Sequence, residues 1–143
     1  MPDTFVLDCS LAAKWVLNET DSVSAINLLD RYNAGELQLI APDLLLVEFA
    51  SLVTKRSRQR TISVADARAA FAFMMQSAPD LYETLPLLES ALDLSLEHQI
   101  SLWDCVCLAL ALEHNCPVLT ADLRLFQAGR SRHPRIQLLR ERD

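Results

Sequence analysis

Thr4-Phe5-Val6-Leu7-Asp8-Cys9-Ser10 begins with four residues that favour an extended chain, stops at an acid, and then offers a serine suited to capping a helix. A short strand therefore runs almost directly into a helical segment, Leu11–Leu17. The same alternation continues along the chain. Asp21 or Ser22 starts a helix carrying Ile26, Leu28, Leu29 and Tyr32, and Gly35 marks its end. Leu37–Ala41 reads as a second strand. Pro42-Asp43 opens a helix to about Arg58, and Ser63 opens another to about Gln76, with Asp66 at the capping-box position. These two helices read as an antiparallel pair. Leu81–Leu85 is a short strand, followed by a Pro86-initiated helix to about His98 and a further helix from about Trp103 to His114. Pro117–Thr120 is a strand, Asp122 begins a short helix, and Ile136–Leu139 is a last, weak strand. Strands separated by helices predict an α/β fold: a parallel β-sheet flanked by helices on both faces.

A chain of 143 residues is expected to form one domain, 1–143, burying about two-thirds of the surface its unfolded form exposes. No apolar run is long enough to cross a bilayer, because Glu48 splits Leu44–Val47 from Phe49–Val53. The start, Met1-Pro2-Asp3-Thr4, lacks the basic region and cleavage site of a secretory signal, so a cytoplasmic protein is expected. Cys9, Cys105, Cys107 and Cys116 are then expected to be reduced. Cys105 and Cys107, two apart on a helix, face away from each other, and no C-x-x-C pair exists to suggest structural zinc.

The net charge of −6 argues against a wholly basic nucleic-acid surface, yet it is unevenly spread. Residues 1–54 hold eight acids and two bases, whereas residues 123–143 hold six arginines and two acids. Arg130 and Arg132 in that tail, and the run Lys55, Arg56, Arg58 and Arg60, offer local basic surface. A solvated helix end and a polar tail are the plain alternative for both.

The candidate chemistry lies in four carboxylates. Asp8 and Asp122 each follow a strand, where ligands of a parallel sheet gather. Asp104 enters the apolar helix Cys105–Leu112 at its first turn. Each of these three also has an ordinary reading as a turn or cap residue. Glu48 is harder to dismiss, since it interrupts Leu44-Leu45-Leu46-Val47 and Phe49-Ala50, where an unpaired carboxylate is costly. Only Lys14 and Arg31 precede position 55 as possible ion-pair partners, and a bound cation would supply the missing charge. Carboxylate oxygens suit a hard ion, Mg²⁺ or Mn²⁺, which can polarise a phosphoryl oxygen and activate water for attack on a phosphodiester.

The order and context of these acids resemble the PIN domain, in particular the toxins of VapBC-type toxin–antitoxin pairs. Val6-Leu7-Asp8-Cys9-Ser10 is similar to that family's opening, with Ala13-Lys14-Trp15 and Glu19 like one of its branches. Ala41-Pro42-Asp43-Leu44 with Val47-Glu48 resembles the second motif, Ser101-Leu102-Trp103-Asp104-Cys105 and the run to Ala111 the third, and Leu119-Thr120-Ala121-Asp122 the fourth. Cys105 departs from the small residue usual there, and Trp103 from the frequent Tyr; no further acid follows Asp122 closely for a second metal. The resemblance implies a PIN-like fold and an endoribonuclease dependent on Mg²⁺ or Mn²⁺ held by Asp8, Glu48, Asp104 and Asp122. It also implies an RNA substrate, a homodimer and a cognate antitoxin protein. Ser10 and Thr120 match hydroxyl positions beside the acidic site, where they could support a carboxylate; helix capping and a strand-end turn are their ordinary roles.

Rival chemistries fare worse on the residues present. Phosphoacceptor domains and haloacid-dehalogenase-type phosphatases need a late Lys, and this chain has only Lys14 and Lys55. Gly35 and Gly129 stand alone, so no Gly-rich phosphate loop exists. An RNA-processing PIN nuclease, or a non-catalytic RNA- or protein-binding module on the same fold, remains the alternative.

Overall fold

The computed structural model describes residues 2–17, 22–122, 125–127 and 136–138. Glu19, Arg130 and Arg132, named above, lie outside them. Chain order is β1 (Asp3–Leu7), α1 (Cys9–Ala13), α2 (Ser22–Asn33), β2 (Leu37–Pro42), α3 (Leu44–Arg58), α4 (Val64–Ser77) and β3 (Asp80–Tyr82), then a 3₁₀ turn at Leu85–Leu87. It continues with α5 (Leu88–His98), α6 (Leu102–His114), β4 (Val118–Thr120) and β5 (Ile136–Leu138). The described strands form a parallel sheet in the order β3-β2-β1-β4-β5.

Side chains alternate across the sheet, and the two sets feed separate apolar layers. Phe5 and Leu7 of β1 join Leu39 of β2, Leu11, Leu45, Phe49 and Met74 in the layer built with α1 to α4. Val6, Ile40 and Val118 point the other way, into the layer completed by Ala91, Val106 and Leu110 of α5 and α6. Helices therefore cover both faces, as the strand–helix alternation predicts. Residues Cys105 to Ala111 of α6 are all buried, which explains a helix apolar on every side.

Local chemistry sets the boundaries. Gly35 takes φ +77° after α2, and Glu36 N–H donates to Arg31 O at 3.0 Å, closing the helix by a left-handed turn. Ser63 Oγ accepts from Asp66 N–H at 3.0 Å and so caps α4. Three expectations are corrected. The helix after β1 ends at Ala13 rather than Leu17, because Lys14, Trp15 and Val16 N–H bond three residues back and tighten the chain into turns. Ser10 is not its cap; Asp8 holds that position, and the Ser10 hydroxyl serves the Asp8 carboxylate. The strand expected at Leu81–Leu85 stops at Tyr82, and Pro86 sits in the 3₁₀ turn that precedes α5.

Candidate active site

The sheet order reverses at β1, whose connection to β2 goes one way while β4 pairs on its other side. Carboxyl ends of strands flanking such a point leave a crevice that helices do not fill. Asp8 sits there. Leu7 is in register with Leu119, and Asp8 N–H donates to Leu119 O at 3.1 Å, which brings Thr120 beside the Asp8 side chain.

Asp8 Oδ2 accepts from Ser10 Oγ at 2.6 Å and from Thr120 Oγ1 at 2.8 Å. A hydroxyl has one proton to give, so the 3.2 Å contact between Ser10 and Thr120 is left as proximity when both protons go to Asp8. Their lone pairs accept in turn: Ala121 N–H donates to Ser10 Oγ at 3.2 Å, and Asp122 N–H to Thr120 Oγ1 at 2.9 Å. Backbone dipoles thus reinforce hydroxyls that reinforce a carboxylate. Burial pushes the Asp8 carboxyl above the usual range. The Ser10 and Thr120 hydroxyls oppose that rise, Asp122 adds to it, and the Cys9 N–H also opposes it.

The other acids arrive from separate elements. Asp122 follows β4, and Leu125 N–H donates to its Oδ1 at 3.4 Å where residues 125–127 turn helical. Asp104 lies in the first turn of α6, where Ser101 Oγ accepts from its N–H at 3.3 Å and donates to its Oδ2 at 2.8 Å. Asp104 therefore does take part in capping, through a side chain fixed by the same serine. Glu48 is half-buried on α3 and has no hydrogen-bond or ion-pair partner among the described residues. Burial, then Asp8, then Asp104 push its carboxyl up to about 7. The buried Cys107 thiol is raised by burial and also by Asp8, Glu48 and Asp104, so these three acids converge on one region from opposite sides of the sheet.

That region opens as a groove of about 550 Å³ walled by Cys9, Ser10, Glu48, Lys55 and Trp103, among others. No three His, Cys, Asp or Glu side chains among the described residues are arranged to hold a metal ion by themselves. All four cysteines are buried and free. Two wall residues escaped the sequence reading as site residues. Lys55 was visible only as part of a basic run, and Trp103 only as a neighbour of Asp104.

A PIN domain family profile matches residues 5–130, a span that takes in all four acids and both hydroxyls. The chain belongs to the PIN domain family. Within curated relatives, the chain is 30% identical over 129 residues to a VapC ribonuclease of Mycobacterium bovis, covering 90% of this chain and 94% of that protein. It is equally similar to ribonuclease VapC9 of Mycobacterium tuberculosis. Among solved structures it resembles PAE2754 from Pyrobaculum aerophilum, with a TM-score of 0.72 and 16% identity over 99% of this chain and 94% of that one. It also resembles VapBC2 from Rickettsia felis, solved bound to a DNA fragment from their promoter. That match has a TM-score of 0.66 and 16% identity over 94% of this chain and 96% of the other. The structural likenesses speak to the PIN fold alone.

Proposed function

We propose that this PIN-domain chain is a divalent-metal-dependent endoribonuclease acting as the toxin of a toxin–antitoxin pair. The observation that carries the catalytic reading is Glu48: a half-buried carboxylate without a partner among the described residues, raised by burial first and then by Asp8 and Asp104. Like charges brought close to a half-buried carboxylate favour a bound cation. The donor set is all carboxylate, which fits Mg²⁺ or Mn²⁺ better than a softer metal. Asp8, Glu48, Asp104 and Asp122 are the residues that would hold it. A divalent ion so bound supplies Lewis-acid stabilisation of phosphoryl charge and a more acidic water.

The chain's own residues prepare that chemistry. Ser10 and Thr120 keep the Asp8 carboxylate in one orientation, and Ser101 does the same for Asp104. RNA as substrate is supported by the VapC ribonuclease relatives at 30% identity over nine-tenths of the chain. An antitoxin partner is proposed on the VapC kinship of those relatives, with which the shared fold of VapBC2 is consistent. A homodimer is supported by Leu85, Leu92 and Leu96, which are 77%, 50% and 65% exposed along the α5 region of an isolated chain. No described helix is long and apolar enough to cross a membrane.

Purified protein is expected to cut RNA at internal sites with Mg²⁺ or Mn²⁺ and to stop with EDTA. Asp8→Asn, Glu48→Gln, Asp104→Asn and Asp122→Asn should each reduce cleavage by roughly a hundredfold or more, because ligands of one site act as a unit. Calorimetric titration with Mn²⁺ should show the same losses in binding. RNA binding without cleavage at any metal supplied would return the chain to the binding-module alternative.

A further inference from the structure

Two tryptophans of this chain have opposite fates. Trp15 is 6% exposed within the core, whereas Trp103 is 55% exposed on the wall of the groove that holds Glu48. It stands at the second residue of α6, directly before Asp104, on a helix whose residues Cys105 to Ala111 are buried. Across the groove, α3 presents Val47, Glu48, Ser51 and Lys55, positions that share one helical face. Val47 is exposed as well. Lys55 has no carboxylate partner among the described residues, although the chain is acidic overall.

We propose that this groove seats single-stranded RNA, with a base stacked on the Trp103 indole and a flanking phosphate held by Lys55. The inference rests on the ribonuclease reading and assigns two residues of this chain that would hold its RNA. A flat exposed indole can stack on any unpaired base, and a duplex hides that face within its own stack. The Lys55 ammonium, on the same groove wall as Glu48, supplies the positive charge that a carboxylate cannot give to a phosphodiester. Together they would draw the backbone along the wall and leave the adjoining bond over the four acids.

The test is tryptophan fluorescence during titration with a single-stranded RNA dodecamer, and with the same sequence as a duplex, in EDTA so that nothing is cut. The single strand should quench emission in wild type and in Trp15→Phe but not in Trp103→Phe, and the duplex should quench little. Trp103→Ala should weaken single-strand binding about tenfold, and Trp103→Phe should retain most of it, since a smaller ring still stacks. Lys55→Ala should lower the slope of log affinity against log salt by about 0.7, the value for one single-strand phosphate. Metal-dependent cleavage is measured alongside. Cleavage by wild type with unchanged KM and RNA affinity in both Trp103→Ala and Lys55→Ala overturns the stacking site and leaves the nuclease reading intact. Wild type that neither binds nor cuts RNA overturns both.

Discussion

A carboxylate without a partner has a measurable signature. The folded protein holds the Glu48 proton more tightly than the unfolded chain, from the ordinary value of 4.5 up to about 7, with burial as the largest cause. In metal-free protein, the contribution of this group to stability is therefore fully present below about pH 4.5 and is lost as pH rises through about 7. Thermal unfolding in EDTA should show wild type weakening over that window. Glu48→Gln should reduce this slope, leaving the part due to Asp8, and be more stable at about pH 8 by on the order of 1 kcal/mol, after discounting for the part of the side chain still in water. A wild type whose stability is flat across the window, or a Glu48→Gln variant with the same slope, would contradict this account. Much at this scale was legible in advance. An acid that interrupts an apolar helix announces itself, and so does one that ends a strand. The Ser10 and Thr120 hydroxyls were visible as neighbours of acids, but their convergence on one Asp8 oxygen depends on the Leu7–Leu119 register, which joins residues far apart in sequence.

At the scale of elements, the angle at which α3 delivers Glu48 is fixed by a contact that no local pattern encodes. Asp43 Oδ1 accepts from Thr84 N–H at 3.1 Å and from Thr84 Oγ1 at 2.6 Å, and Leu44 N–H donates to Thr84 Oγ1 at 3.1 Å. The first turn of α3 is thus capped by a residue beyond the next strand. Asp43 was readable as the residue that opens a helix, and Pro42 as the break before it. That the Asp43 side chain would turn to Thr84 instead of its own helix was not readable, because the pairing of β2 with β3 brings the two together. The same contact explains why the strand expected to reach Leu85 stops at Tyr82. Thr84→Val leaves the Leu44 N–H and Asp43 without their hydroxyl partner and should destabilise the fold by about 1–2 kcal/mol. Its kcat should fall while Mn²⁺ binding remains detectable, since Glu48 is displaced but retained. Denaturant melts and steady-state cleavage check both parts; a variant as stable as wild type would remove the clamp.

For the whole molecule, the two apolar layers and the parallel sheet followed from alternation alone, whereas the surfaces did not. Periodicity marks the buried side of a helix and leaves the outer side unassigned, which is how the leucines of α5 passed unnoticed. Leu85, Leu88, Leu92 and Leu96 are three or four residues apart and all exposed, with Leu112 of α6 exposed as well. The proposed second copy would remove this surface from water. Light scattering of wild type at micromolar concentration should give the mass of a dimer, and Leu92→Glu should give that of a folded monomer with an unchanged circular dichroism spectrum. A wild-type monomer would retire the homodimer.

The Thr120 bond to Asp8 spans 112 positions of chain. A ribosome making this protein releases the central strand early, yet cannot finish the seat of Asp8 until β4 has left the exit tunnel. Arrested nascent chains that end before Val118 should show no RNA cleavage even with metal present, and activity in such chains would contradict the dependence on Thr120 and Asp122. The seat of Asp8 is thereby completed only once β4 has been made, more than a hundred residues after the strand that carries the acid.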